Sequence, residues 1–173
     1  MDPSLFEERQ GFHWFAYATV LIAIAGTLVA AVVALMVLRE ESLSIVEACW
    51  IPLLVAAGAL LVLNILSMRT TIARNRLSVQ FGRFLPIYRK HIAVHEINHS
   101  RVVDYRPLRD AGGWGIRFGR FERQSCRFLN CRGNRGVLIE THDQRYIIGS
   151  QEPERLQAAL DAARANGGSG SAA

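Results

Sequence analysis

The run from Phe15 to Leu38 constrains this chain more than any other stretch, because its 24 residues carry no charge. At 1.5 Å per residue a helix of that length extends roughly 36 Å, enough to cross a ~30 Å hydrocarbon core with some tilt. A second uncharged run, Ala48 to Met68, has 21 residues. Arg39 to Ser44 between them leave room only for a hairpin loop. Ser44 with Glu47 three positions on reads as a capping box, and Pro52 falls in the first turns of the second helix, where a proline is tolerated. The pattern predicts a transmembrane hairpin over residues 15–68, with helices at about 15–38 and 45–68. A cleaved leader fits poorly: the run exceeds the roughly 7–15 apolar residues of a signal peptide, and the segment before it is acidic.

Charge is distributed to match. Residues 1–68 hold two basic and six acidic side chains, residues 69–135 fifteen and four, and residues 136–173 three and five. Such asymmetry argues against disorder and against a plain soluble enzyme, and for a membrane part joined to a basic globular part. Arg69, Arg74, Arg76 and Arg83 follow the second run closely, whereas the loop carries only Arg39. The positive-inside rule then places the C-terminal part, and with two crossings the N-terminal segment 1–14, in the cytoplasm. Trp14, Tyr17 and Trp50 fall at interfacial depths. Gly26, Ala30 and Ala34 are spaced four apart on the first helix, and Gly58 lies in a small-residue patch on the second. Small faces of this kind pack a hairpin or mark an oligomer face. Asn64, polar and deep in a span, suits a bond between helices. Neither uncharged run holds an Asp, Glu, Lys or Arg for a proton relay.

From Thr70 the period changes to two. Leu77–Phe81, Val102–Tyr105, Trp114–Phe118, Gly136–Glu140 and Tyr146–Ile148 read as short strands, separated by turn signals such as Asp110-Ala111-Gly112-Gly113 and His142-Asp143-Gln144. Their spacing suggests an antiparallel sandwich or barrel. Pro153 opens a helix whose Leu156, Ala159, Leu160 and Ala163 make one apolar face, suited to capping the sheets. The fold class is therefore an α+β membrane protein: a two-helix transmembrane hairpin, then a cytoplasmic β domain over 70–166 capped by a C-terminal helix. Residues 167–173 read as a flexible linker, a native tail or an expression scar.

The order of two membrane helices, strands and a final helix, with LSVQFGRF, GGWGIRF and GNRGVLIETHDQRYIIGSQEPERLQAAL, resembles the membrane-anchored bacterial PH-like domain proteins over roughly Ile72 to Ala163. The segment Arg117–Gly136 is longer and more basic than that pattern. The resemblance implies a seven-stranded bent sheet capped by the helix, acting as an interaction or assembly module at the inner membrane. In PH domains the turn between the first two strands often meets phosphoinositides; here it holds Arg74 and Arg76.

Nineteen of the twenty basic residues are arginine. Arg117, Arg120, Arg123, Arg127, Arg132 and Arg135 cluster with one acid, Glu122. An acidic protein partner, anionic lipid and a solvated face are all compatible with them, and nucleic acid fits a membrane anchor poorly. Arg74, Arg76 and Arg83 beside the second helix suit anionic headgroups. His91, His95 and His99 recur every four residues but read as a polar loop and strand face rather than metal ligands. Cys126 and Cys131 form no CxxC pair, and neither a disulfide nor a cofactor is expected. There is no HExxH, P-loop or GxSxG motif, so no catalytic residue is assigned. The expectation is a non-enzymatic module that recruits or stabilises a partner in a membrane complex. The alternatives are an anionic-lipid sensor and an accessory subunit of a transporter or membrane enzyme, with self-association open.

Overall fold

Two apolar patterns, one continuous and one alternating, segregate into two units that the chain interleaves. The computed structural model describes residues 4–12, 14–37, 45–73 and 75–168. One compact unit is Phe12–Leu66; the other joins the residues up to Gly11 with those from Ser67 onward.

In the helical unit α1 (Trp14–Val37) packs against α2 (Ile45–Ile65). The Phe12 amide and the Tyr17 hydroxyl both donate to the Leu66 carbonyl, at 3.1 and 2.9 Å, tying the start of α1 to the end of α2. Thr19 and Thr27 donate to the Phe15 and Ala23 carbonyls at 2.9 and 2.8 Å, so each hydroxyl is satisfied within its own helix. Leu21, Ile22, Val29 and Met36 on α1 and Leu54 and Leu60 on α2 are exposed. Among the described residues one helix is long and apolar enough to cross a membrane, over Trp14–Val33; the apolar stretch found in α2, Leu53–Ile65, is shorter. The expected pair of crossings is thus matched by the first helix alone. The half-buried stripe of α1 runs through Ile24, Thr27 and Ala31, while Gly26, Ala30 and Gly58 are exposed. Successive helical residues turn by about 100°, which carries Gly26 and Ala30 off that stripe. A Cβ at Gly26 or Gly58 would meet nothing within 4 Å, so neither glycine sets a close helix approach here. Asn64 is buried. The side chain of Ala34, residues 38–44 and the Ser44 cap lie outside the described residues.

The β unit begins before the helices. β1 (Phe6–Gly11), β2 (Ser67–Ala73), β3 (Arg76–Phe81) and β4 (Tyr88–Ala93) form an antiparallel sheet in that order. The segment expected merely to precede the membrane therefore contributes a strand, pairing Gly11 with Ser67 and Phe6 with Ile72. Period two gave no sign of it, because two of its inward positions are Glu8 and Gln10. Glu8 is satisfied across the domain, where the Ser150 hydroxyl and the Gln151 amide donate to it at 2.6 and 2.7 Å, and the Gln10 amide nitrogen donates to the Gly149 carbonyl at 2.9 Å.

A 3-10 turn at Val94–Glu96 leads to β5 (Ile97–Asp104), and a four-residue helix, α3 (Pro107–Asp110), leads to β6 (Gly115–Phe121), β7 (Gln124–Asn130), β8 (Arg135–Thr141) and β9 (Arg145–Gly149). Their order is β5-β8-β9-β7-β6. The β8–β9 hairpin inserts beside β7, so β9 runs parallel to it, with Phe128 opposite Ile147. The strands thus number nine among the described residues, where the resemblance implied seven, and the expected all-antiparallel sandwich contains one parallel pair. The β6–β7 turn places Glu122 and Arg123 at φ of 52° and 65°, the left-handed pair that closes a two-residue hairpin.

Ile72, Leu77, Val79, Phe81 and Ile92 of the first sheet and Leu129, Val137, Ile139 and Ile148 of the second are buried. Lys90 lies 5.4 Å over the Tyr146 ring, bringing β4 against the second sheet. The other side of that sheet holds a second core of Val103, Tyr105, Ala111, Cys126, Phe128, Leu138 and Ile147. Gly119 sits under α3, where a Cβ would lie 2.0 Å from the Asp110 carbonyl oxygen. α4 (Pro153–Gly168) buries Leu156, Leu160 and Ala163, as their spacing predicts, against β1, β2, β5, β8 and the 3-10 turn.

Candidate functional site

The arginine cluster of β6 and β7 comes apart in three dimensions. Arg127 stacks between aromatic rings, 4.8 Å from the centroid of Phe118 and 5.3 Å from that of Tyr88. Its stacking links β7 to β6 and β4. Arg117 donates to the Trp114 carbonyl at 3.2 Å. Arg135 pairs with Asp104 at 3.2 Å and with Glu154. Glu122 receives Arg101 at 2.5 Å and Arg145 at 3.4 Å; the hydrogen bond from Arg101 holds its carboxyl below the usual range. Arg120 and Arg123 remain exposed, with no ion pair among the described residues. Arg132 is likewise exposed without an ion pair among the described residues.

The arginines that follow α2 in sequence separate along the sheet. β2 leads away from α2, so Arg76, paired with Ala73, stands at the far end, six residues of strand or roughly 20 Å from Ser67. Arg74 lies outside the described residues. β3 then returns: Phe81 pairs with Met68, and the Gly82 amide donates to the Ser67 carbonyl at 3.0 Å. The β3–β4 loop therefore sits at the end of the sheet where β1 stops and β2 starts. It exposes Phe84, Leu85 and Ile87 at 80%, 66% and 50%, and Arg83 lies 5.5 Å over the Phe84 ring.

Two cross-strand rows of outward positions on the first sheet are polar. Arg9, Arg69, Gln80 and Arg89 make one cross-strand row, and Glu7, Thr71, Ser78 and His91 the next. Glu7 pairs with Arg69 at 2.9 Å and Arg9 at 3.0 Å, and the Arg69 hydrogen bond draws its carboxyl below the usual range. The sequence carried a signal for this face in Arg69-x-Thr71, Ser78-x-Gln80 and Arg89-x-His91, a polar period of two complementary to the apolar one.

Two other motifs resolve simply. His91, His95 and His99 fall on β4, the 3-10 turn and β5, and no group of three metal-ligating residues occurs among the described residues. Cys126 and Cys131 are buried free thiols, and burial pushes them up to about 11 and about 12. Their thiolates are scarce at neutral pH, which suits packing rather than redox chemistry. No protein-family model matches the chain, and no curated protein matches it.

Proposed function

We propose that this protein is a non-enzymatic, membrane-anchored binding module. The single observation that carries the reading is the ladder joining Gly11 to Ser67: an apolar helical unit, with a span over Trp14–Val33, leaves the β domain from two neighbouring strand ends. A domain tethered at two adjacent points stays at the bilayer surface, where confinement raises its effective concentration toward other membrane proteins and weak contacts suffice. On this reading α2 completes a hairpin and both termini lie on the cytoplasmic side of a bacterial inner membrane. The arginines that follow α2 support that side through the positive-inside rule. Arg120 and Arg123 hold an acidic partner in a membrane complex. The resemblance to PH-like proteins supports an interaction role, while nine strands and a parallel pair depart from it.

A lipid-contacting role is favoured by one specific observation. The Arg83–Ile87 loop is at the helix-joined end of the sheet and presents three exposed apolar side chains beside an arginine, the composition of an interfacial loop.

Two measurements test the anchoring. An alkaline carbonate wash leaves an integral protein in the pellet. A cysteine placed at exposed Asp143, in a Cys49→Ser background, reacts with an impermeant maleimide only after lysis if the domain is cytoplasmic. Release into the supernatant, or labelling of intact cells, overturns the anchor or its orientation respectively. The partner reading requires a binding partner whose co-purification is lost in Arg120→Glu with Arg123→Glu while the fold persists.

A further inference from the structure

We infer that the outward face of the first sheet is a binding site for a phosphate-bearing anion, seated over Gln80 between Arg69 and Arg89. Arg69, Thr71, Ser78, Val79, Gln80, Arg89 and His91 line a cleft of about 140 Å³ there. Its position follows from register: Arg69 is opposite Gln80, and Gln80 opposite Arg89. Two strand spacings set the arginine backbones about 10 Å apart, so their side chains flank one small gap.

The charge of the face is unbalanced. Its outward positions carry Arg9, Arg69, Arg76 and Arg89 against Glu7 alone. Glu7 is shared by Arg9 and Arg69, while Arg89 has no ion pair among the described residues. Guanidinium forks match phosphate oxygens in geometry as well as charge.

The floor supplies neutral donors. Ser78 Oγ and His91 Nδ1 are 2.8 Å apart. If the hydroxyl donates to Nδ1, the ring carries its proton on Nε2; if Nδ1–H donates to the hydroxyl oxygen, the serine proton is free. Either tautomer keeps one donor for a ligand. Thr71 adds a hydroxyl, and Gln80, which gives one amide hydrogen to the Gly82 carbonyl at 3.2 Å, keeps a second. Two cations with several donors, and no carboxylate among the lining residues, select an anion with several acceptor oxygens.

Two sources present that chemistry: a soluble phosphate compound and the phosphodiester of an anionic lipid. Only the second rests on the membrane reading proposed above. The full chain, held in phosphatidylcholine nanodiscs or in buffer if it needs none, is titrated calorimetrically with inorganic phosphate. In parallel, native mass spectrometry in detergent compares retention of phosphatidylglycerol with that of phosphatidylcholine. Arg89→Gln weakens whichever probe binds by roughly tenfold or more, the loss of one charge-assisted contact. Arg76→Gln removes the same charge from the same face but outside the cleft, and shifts binding far less. Phosphate binding with this variant pattern supports the site with a soluble ligand, and phosphatidylglycerol preference with the same pattern supports a headgroup. Binding of neither probe, or equal losses in the two variants, overturns the site. A chain that washes off membranes yet binds inorganic phosphate refutes the anchor and leaves the site standing.

Discussion

Removing the helical unit while keeping β1 leaves a folded, water-soluble domain. Joining residues 4–12 to 66–168 through Asn-Gly closes β1 and β2 with a two-residue turn, because the Phe12 amide already reaches the Leu66 carbonyl at 3.1 Å. A fragment of residues 70–166, the span that sequence alone marks as the domain, lacks β1 and the first half of β2. It forfeits Phe6 and Met68, each nearly fully buried and worth about 2 kcal/mol. It also loses six ladder pairs at about 0.5–1 kcal/mol each and the Glu8 and Gln10 bonds at about 1 kcal/mol each. The total is on the order of 10 kcal/mol, against about 5–15 kcal/mol for a whole domain. The expected outcome is a cooperative thermal transition and dispersed amide spectrum for the joined protein, and neither for the 70–166 fragment. A fragment that melts as cooperatively and at the same temperature as the joined protein would refute the role assigned to β1.

Three further outcomes are expected in that joined protein. Gly119→Ala drives a methyl group to 2.0 Å from the Asp110 carbonyl oxygen, so α3 lifts from the second core and stability falls by about 2–4 kcal/mol in urea titration. Arg127→Ala costs about 1–2 kcal/mol through loss of its stacking on Phe118 and Tyr88, whereas Arg120→Ala and Arg123→Ala stay within about 0.5 kcal/mol; equal effects would contradict the division of that cluster. Burial raises Cys126 from 9.0 to about 11, Cys131 from 9.0 to about 12, and Tyr105 from 10.0 to about 12. The unfolded chain loses these protons first, so stability is complete below pH 9 and declines progressively between pH 9 and 12. Urea midpoints at pH 8 and pH 10.5 measure the decline, and Cys126→Ala flattens it.

Where inward residues are apolar, period two suffices to place a strand: Leu77, Val79 and Phe81 announce β3, and Gly136–Glu140 announces β8. The hidden strands break that rule for identifiable reasons. β1 turns Glu8 and Gln10 inward, where they bond to groups about 140 residues away. β2 begins inside the apolar run that ends at Met68, so its first residues read as membrane. β4 turns Lys90 inward, where the Tyr146 ring accepts its charge. β7 carries Arg127, which reads as surface until Phe118 and Tyr88 close over it. Candidate sites divide the same way. Sequence proximity groups Arg74, Arg76 and Arg83, while the hairpin sends Arg76 to one end of the sheet and Arg83 to the other. The Arg69–Arg89 pairing depends on a three-strand register that no local window contains.

The split hairpin also dictates a sequence of events during synthesis. β1 leaves the ribosome first and has no mate until the entire helical unit has been made. That edge strand of the first sheet must wait, unzipped, while the helices are made. Sheet closure therefore certifies completed helix placement, and a nascent chain whose helices fail to settle leaves Phe6, Glu8 and Gln10 unsheltered for a protease to find.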